Sequence, residues 1–270
     1  MLKKISLFLI VIIVTISIVS CGKKADDKKQ NQEEINTEVQ EPDFYLIEMP
    51  TFSKLFSILD FLETKDFDTA LHQEKITPGK DLYFSAFALG QLSADAVIAT
   101  KGRNKSQLTS FSENMTNFSL LIGIQDEILK LTDELQNLIK TDSWTKLEQT
   151  LDKYKIDVEA NLHENQDYDV LTLLQLGGWT EGLNRICYLL KDNYSREKTS
   201  IINQRGTLNN LLRNLRNMID PQIQKEKFVQ ISIQKFEEIK KIIIKSDTYS
   251  KEDITKIYDL TEDIKKTVLQ

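Results

Sequence analysis

Two copies of a short apolar stretch decide how this chain is organised. Residues 87–95 read FALGQLSAD, and residues 174–182 read LQLGGWTEG. Leu89-Gly90 in the first stretch aligns with Leu176-Gly177 in the second. Each stretch belongs to a helical pattern that further helical segments follow in the same order. The repeat therefore predicts two related units within one chain.

The spacing of apolar residues predicts an all-α fold, with residues 44–270 as its helical domain. Apolar side chains recur every three or four positions along most of this part, which is typical of helices that bury one face. The chain has only 9 Gly and 4 Pro, and no segment alternates with the period of a strand. We expect two antiparallel units, about 81–163 and 168–270, that form one helical bundle or repeat-like domain. Their predicted helices begin near residues 81, 106, 124, 143, 168, 201, 221 and 250.

Glycines inside the two repeated stretches predict a close helix crossing. A glycine in a helix costs about 0.5–1 kcal/mol relative to alanine, and it is tolerated where another backbone approaches closely. Gly90 and the pair Gly177-Gly178 occupy corresponding turns. We expect their two helices to cross there as the central pair of the domain. A kink or a break of the second helix at Gly177-Gly178 is the alternative.

The first 20 residues have the pattern of a signal peptide. Lys3 and Lys4 precede an apolar run over residues 5–19. The run ends in Ile18-Val19-Ser20-Cys21-Gly22, which resembles the lipobox of bacterial lipoproteins, although an uncleaved membrane helix is the alternative. The resemblance implies cleavage before Cys21 and a lipid on its sulfur.

Residues 21–43 follow as a polar segment of mixed charge, which predicts a disordered tether. Membrane lipid, reached through Cys21, is therefore one expected partner. The location predicted is the cell envelope, as a lipid-anchored protein of the outer membrane that faces the periplasm or the surface.

Composition and motifs disfavour several other classes of protein. The net charge is −6, whereas a nucleic-acid-binding protein usually presents a basic face. The two histidines, His72 and His163, have no second ligand at metal-binding spacing, and no phosphate-binding loop or hydrolase nucleophile motif is present. We expect no metal and no cofactor. With Cys21 lipidated, Cys187 has no disulfide partner, and its apolar helical context predicts a buried thiol.

Three charged residues are candidates for a polar cluster in the central groove. Asp95 lies among small residues, Glu181 occupies nearly the matching place in the second repeat, and Arg205 falls in an apolar stripe. A buried charge needs a partner or its pKa shifts, so these three side chains are candidates for one site. Two alternatives remain: Glu181 and Arg185 can form a surface pair four residues apart, and Arg205 can extend to solvent.

The two repeated stretches resemble a family of Gram-negative bacterial envelope lipoproteins. The resemblance rests on Ala88-Leu89-Gly90 with Ala94-Asp95, and on the Leu-Gly-Gly-Trp-x-Glu-Gly motif over residues 176–182. The similarity spans about residues 45–190. It implies a helical fold and an envelope location, and it assigns no catalytic residue.

Two classes of function compete on these observations. Helical repeats on a tether are suited to a non-catalytic binding or scaffold module for an envelope protein or a small ligand. The alternative is an envelope hydrolase that uses a carboxylate pair, for which Asp95 and Glu181 are the candidates. If these carboxylates face each other across a solvated cleft, the enzyme is favoured. If they lie apart, or are sealed against Arg205 or Arg185, the binding module is favoured.

Overall fold

A computed structural model describes residues 49–64, 66–71, 76 and 81–268, without the side chains of residues 125–129 and 132. The predicted signal peptide, Cys21, the predicted tether and His72 lie outside these residues. The described residues belong to one compact unit with a continuous hydrophobic core.

The described part of the chain is helical and contains no strand, which confirms the all-α prediction. Two short 3₁₀ turns, Asp68–Ala70 and Glu197–Ile202, supplement the α-helices. The α-helices are α1 (Phe52–Leu62), α2 (Leu82–Lys101), α3 (Lys105–Ile122), α4 (Gln125–Lys140), α5 (Trp144–Glu164), α6 (Tyr168–Asp192), α7 (Arg205–Arg216), α8 (Pro221–Lys225), α9 (Lys227–Ile243) and α10 (Lys251–Val268).

Helices α2 and α6 form the centre of the fold, and they make the most extensive contact of any helix pair. Helices α3, α4 and α5 follow α2, each packing on its predecessor, and α5 returns to contact α2 and α6. In the second half, α7 contacts both α6 and α9, and α10 packs on α9 and α6. Each half thus places its later helices around one central helix.

The two central helices cross at their glycines. A Cβ atom built on Gly90 would lie 2.0 Å from the backbone oxygen of Leu174, and one on Gly177 would lie 2.0 Å from the backbone oxygen of Phe87. No side chain fits in either place, so the backbones of α2 and α6 touch directly. Helix α6 runs unbroken through Gly177-Gly178, so the alternative of a break is not observed.

Hydrogen-bonding side chains fix several helix starts. Thr51 accepts the Lys54 backbone N–H at 3.1 Å at the start of α1. A capping box is present at the start of α10, since Ser250 Oγ accepts the Asp253 N–H and Asp253 Oδ2 accepts the Ser250 N–H, both at 3.1 Å. Ser143, at the N-cap position of α5, makes no capping hydrogen bond through its side chain.

The second half contains two interruptions that periodicity does not predict. The helix expected from Ile201 onward begins as a 3₁₀ turn and is interrupted before α7. Trp179 Nε1 donates a 3.0 Å hydrogen bond to Gln204 Oε1 at this interruption. The helix expected after Pro221 is divided into α8 and α9 at Glu226, whose ψ of 139° is not helical. Tertiary contact, rather than a local breaker residue, accompanies the first interruption.

Helix α2 is, among the described residues, the one helix long and apolar enough to cross a membrane. Its 18-residue apolar window has a mean hydropathy of 1.4, and 83% of that window is buried inside the domain. This degree of burial is typical of the core helix of a globular domain. Its polar residues Gln91 and Asp95 are therefore enclosed as well.

Candidate functional site

Asp95 of α2 and Glu181 of α6 lie one turn beyond the glycine crossing and are joined by one arginine. Arg185 Nε donates to Asp95 Oδ1 at 2.8 Å, and Arg185 Nη2 donates to Asp95 Oδ2 at 3.0 Å. The same Nη2 lies 2.5 Å from Glu181 Oε1. The crossing brings the two helices so close that the guanidinium spans both carboxylates.

A lysine from the last helix completes this cluster. Lys265 Nζ donates to Glu181 Oε1 at 3.0 Å and to Glu262 Oε1 at 3.3 Å. Gln91 Nε2 donates to the other Glu181 oxygen at 2.9 Å. We call this cluster the buried charge network; its members are Gln91, Asp95, Glu181, Asn184, Arg185, Glu262 and Lys265.

Water has little access to the network. Asp95 is 6% exposed, Glu181 and Arg185 are each 1% exposed, and Lys265 is 7% exposed. Burial raises the pKa of the Asp95 carboxyl well above its ordinary value, and the charge of Glu181 raises it further. Burial also raises the pKa of Glu181, although the Lys265 ammonium opposes that increase. Three carboxylates thus share two cations, which favours a proton on the network.

Burial acts on the network's arginine in the opposite direction. It lowers the pKa of the Arg185 guanidinium to about 9, which leaves the group protonated at neutral pH. Arg185 Nη1 is buried and has no hydrogen-bond partner. The charges of the network thus largely neutralise one another, and the Arg185 Nη1 group is left as a donor without an acceptor.

The structure brings Asp95 and Glu181 together and places Arg205 elsewhere. Arg205 is the first residue of α7, and its side chain reaches the segment that follows α9, where Nη2 donates to Ser246 O and to Asp247 Oδ1, each at 3.0 Å. Its side chain is 41% exposed. Arg185, which the sequence offered as a surface partner of Glu181 or as one of two arginines that could seal the carboxylates, occupies the central position.

The remaining residues singled out from the sequence have structural surroundings. Cys187 is fully buried, and burial raises the pKa of its thiol. His163 makes an edge-on ring contact with Tyr168 at 5.6 Å. Within the described ranges, no group of three His, Cys, Asp or Glu side chains is placed to hold a metal ion.

A pocket of about 80 Å³ lies beside the glycine crossing, between α1, α2, α5 and α6. Small residues of α2 and α6 form one wall, because side chains are short where these helices meet. Leu55 and Ile58 of α1 and Val158 of α5 contribute apolar surface opposite. We call this space the central pocket.

The fold and the site define an all-helical domain with an ion network sealed at its central crossing and a small apolar pocket beside that crossing. Comparison of the chain with protein-family models, with curated proteins and with solved structures finds no match in any of the three.

Proposed function

We propose that the protein is a lipid-anchored envelope lipoprotein whose helical domain is a non-catalytic binding or scaffold module. The anchoring part of the proposal comes from the lipobox-like sequence that ends at Cys21. The same proposal includes membership in the family of Gram-negative envelope lipoproteins that the repeated motifs resemble, and a location on the outer membrane.

The sealing of the carboxylate pair is the observation that carries the non-catalytic part. A glycosidase-type carboxylate pair needs a separation of about 5–10 Å with room for the substrate and for water. In this protein the guanidinium of Arg185 occupies the space between Asp95 and Glu181, and all three residues are at least nine-tenths buried. Neither carboxylate has a free face for a substrate, which supports a structural role for the network.

Metabolic labelling tests the anchor. Cells that produce the wild-type protein are grown with labelled palmitate, beside cells that produce Cys21→Ala or Cys187→Ala. We expect label in the wild type and in Cys187→Ala, because the second cysteine is buried in the domain, and no label in Cys21→Ala. Equal labelling of Cys21→Ala would exclude lipid attachment at that residue.

Crosslinking in intact cells tests the binding role. The wild-type protein and Cys21→Ala are crosslinked and purified under identical conditions, and the proteins recovered with each are identified. We expect a partner that is recovered reproducibly with the anchored wild type and lost with the unanchored variant. Turnover of an envelope substrate by the purified protein, abolished in a folded Asp95→Asn variant, would instead establish the hydrolase.

A further inference from the structure

The central pocket has an unusual combination of an apolar wall and buried oxygens without partners. Gly90, Ala94, Gly178 and Gly182 line it from the crossing helices. At Gly182 a Cβ atom would find nothing nearer than Leu55 Cδ2, at 4.0 Å. The crossing thus leaves open space beside one of its glycines, in contrast to Gly90 and Gly177, where the backbones touch.

Two polar side chains of the pocket lining have an unpartnered oxygen. Tyr154 is 5% exposed and Gln175 is 2% exposed, and both line the pocket. The Tyr154 hydroxyl and Gln175 Oε1 are buried without a hydrogen-bond partner. A buried, unsatisfied polar group costs about 1–3 kcal/mol, so a ligand group that hydrogen-bonded either oxygen would offset that cost.

The charged side chains of the pocket lining indicate which kind of molecule the pocket can bind. Among its described residues the charged side chains are Lys155 and Glu159, and these pair with each other at 2.8 Å. An anionic ligand would find no unpaired cation in this lining, and a cationic ligand no unpaired carboxylate. The Tyr154 hydroxyl can donate or accept a hydrogen bond, whereas Gln175 Oε1 requires a donor.

We propose that the central pocket binds a small, uncharged, mainly apolar molecule through a hydroxyl or amide group that hydrogen-bonds Tyr154 and Gln175. The apolar body of the molecule packs on Gly182, Leu55 and Trp179. A cavity of about 80 Å³ holds more than one water, since one water needs roughly 10–15 Å³. This inference deepens the proposed binding function by naming the ligand class and the site.

Trp179 reports on the pocket directly because it forms part of the lining. The chain has two tryptophans, so Trp144→Phe leaves Trp179 as the sole indole emitter. The full chain carrying Trp144→Phe is placed in phosphatidylcholine vesicles and titrated with 2,2,2-trichloroethanol, an uncharged alcohol that quenches indole fluorescence. We expect quenching that saturates, as binding at one site requires. Trichloroacetate, which has the same apolar body and a negative charge, should give only the linear quenching of random collisions.

Three further substitutions in the same background locate the binding. Gly182→Leu should fill the pocket and remove the saturable component. Gly206→Leu should leave it unchanged, because Gly206 is an exposed helical glycine with no atom near its Cβ position. Tyr154→Phe removes only the unpartnered hydroxyl and should weaken binding roughly three- to ten-fold while the fold stays intact.

Each contrary result overturns the proposal. Quenching that is linear throughout shows that the pocket does not bind the alcohol. Saturation that survives Gly182→Leu places the binding elsewhere, and equal saturation by trichloroacetate contradicts the selection against charge. If Gly182→Leu does not fold, unchanged affinity in Tyr154→Phe is sufficient to refute the proposed contact. Because quenching in the purified chain does not depend on palmitate incorporation or on crosslinking in cells, failure of this site is distinguishable from failure of the proposed function.

Discussion

Two arginines of this domain show how burial changes the contribution of one functional group. Arg185 has a side chain that is 1% exposed and contacts two carboxylates, whereas Arg205 is 41% exposed and pairs with Asp247. Loss of one partner from a buried pair leaves an uncompensated charge, which is strongly destabilising. Exposed pairs are screened by water and contribute little.

This difference gives a paired prediction for stability. Arg185→Met should lower the free energy of unfolding by about 3–5 kcal/mol, because it removes the cation that pairs with buried Asp95 and leaves Glu181 with Lys265 alone. Arg205→Met, the matched exposed change, should lower it by at most about 1 kcal/mol. Chemical denaturation followed by circular dichroism measures both values. Similar losses in the two variants would mean that the network is not buried as described.

The raised pKa values of Asp95 and Glu181 also predict how stability depends on pH. An unfolded aspartate titrates near pH 3.9, whereas the folded protein keeps its proton to higher pH. Between these two pKa values the folded state binds more protons than the unfolded state. The stabilisation that this carboxyl gives the folded state is therefore fully present below its unfolded-state pKa, and it is lost as pH rises through its folded-state pKa.

Asp95→Asn should flatten this dependence. In the wild type, each such carboxyl lowers the free energy of unfolding with rising pH, by at most about 1.4 kcal/mol per pH unit within its window. The variant lacks one of the two carboxyls, so its slope between pH 4 and pH 8 should be smaller, while Glu181 still contributes. Denaturation series at several pH values compare the slopes, and identical slopes would show that Asp95 does not hold the proton.

At the scale of helices, the crossing of α2 and α6 gives neighbouring glycines opposite roles. A Cβ atom on Gly177 would lie 2.0 Å from Phe87 O, whereas one on Gly178 would lie 3.4 Å from Gly90 O, an ordinary contact. Gly177→Ala should therefore force the helices apart and destabilise the domain by about 1–3 kcal/mol or more. Gly178→Ala should be neutral or stabilise by up to about 1 kcal/mol, because alanine favours the helix. Thermal unfolding of both variants checks this, and equal effects would contradict the crossing geometry.

Periodicity and glycine placement were sufficient to predict much of this architecture. Apolar spacing indicated the long helices, and glycines at matching turns indicated where two of them meet. The interruption before α7 was not predicted, because the hydrogen bond that Gln204 Oε1 accepts there comes from Trp179, 25 positions earlier in the chain. Local patterns do not contain such tertiary contacts.

The site was predicted only in part for the same reason. Asp95 stood out by its small neighbours, and Glu181 by its nearly matching place in the second repeat. Arg185 had one available signal, its spacing of four residues from Glu181, but that spacing is equally common on exposed surfaces. Lys265 gave no signal in the sequence, because only the packing of α10 on α6 brings it to Glu181, 84 positions earlier in the chain.

At the scale of the whole molecule, the two halves share one core. Helices from both halves surround the α2–α6 contact, and the described apolar residues form one continuous cluster. Neither half has a separate interior that would survive loss of the other. The domain should therefore unfold in one cooperative step.

Two single-tryptophan variants test this cooperativity. Trp144, at the start of α5, reports on the first half in Trp179→Phe, and Trp179 in α6 reports on the second half in Trp144→Phe. Each fluorescence transition should coincide with the loss of helicity measured on the same variant. A tryptophan transition that clearly precedes the loss of helicity would show that the halves unfold independently.

The composition of α2 has a consequence for export under the proposed envelope location. A secreted chain passes unfolded through a translocation channel, where a long apolar segment can move sideways into the bilayer and stop. An aspartate at the centre of such a segment opposes insertion by about 2.5–3.5 kcal/mol, and Asp95, six residues before the end of α2, would oppose it by less. Asp95, which the folded domain can bury only with the help of Arg185, thus also lowers the tendency of α2 to remain in the inner membrane.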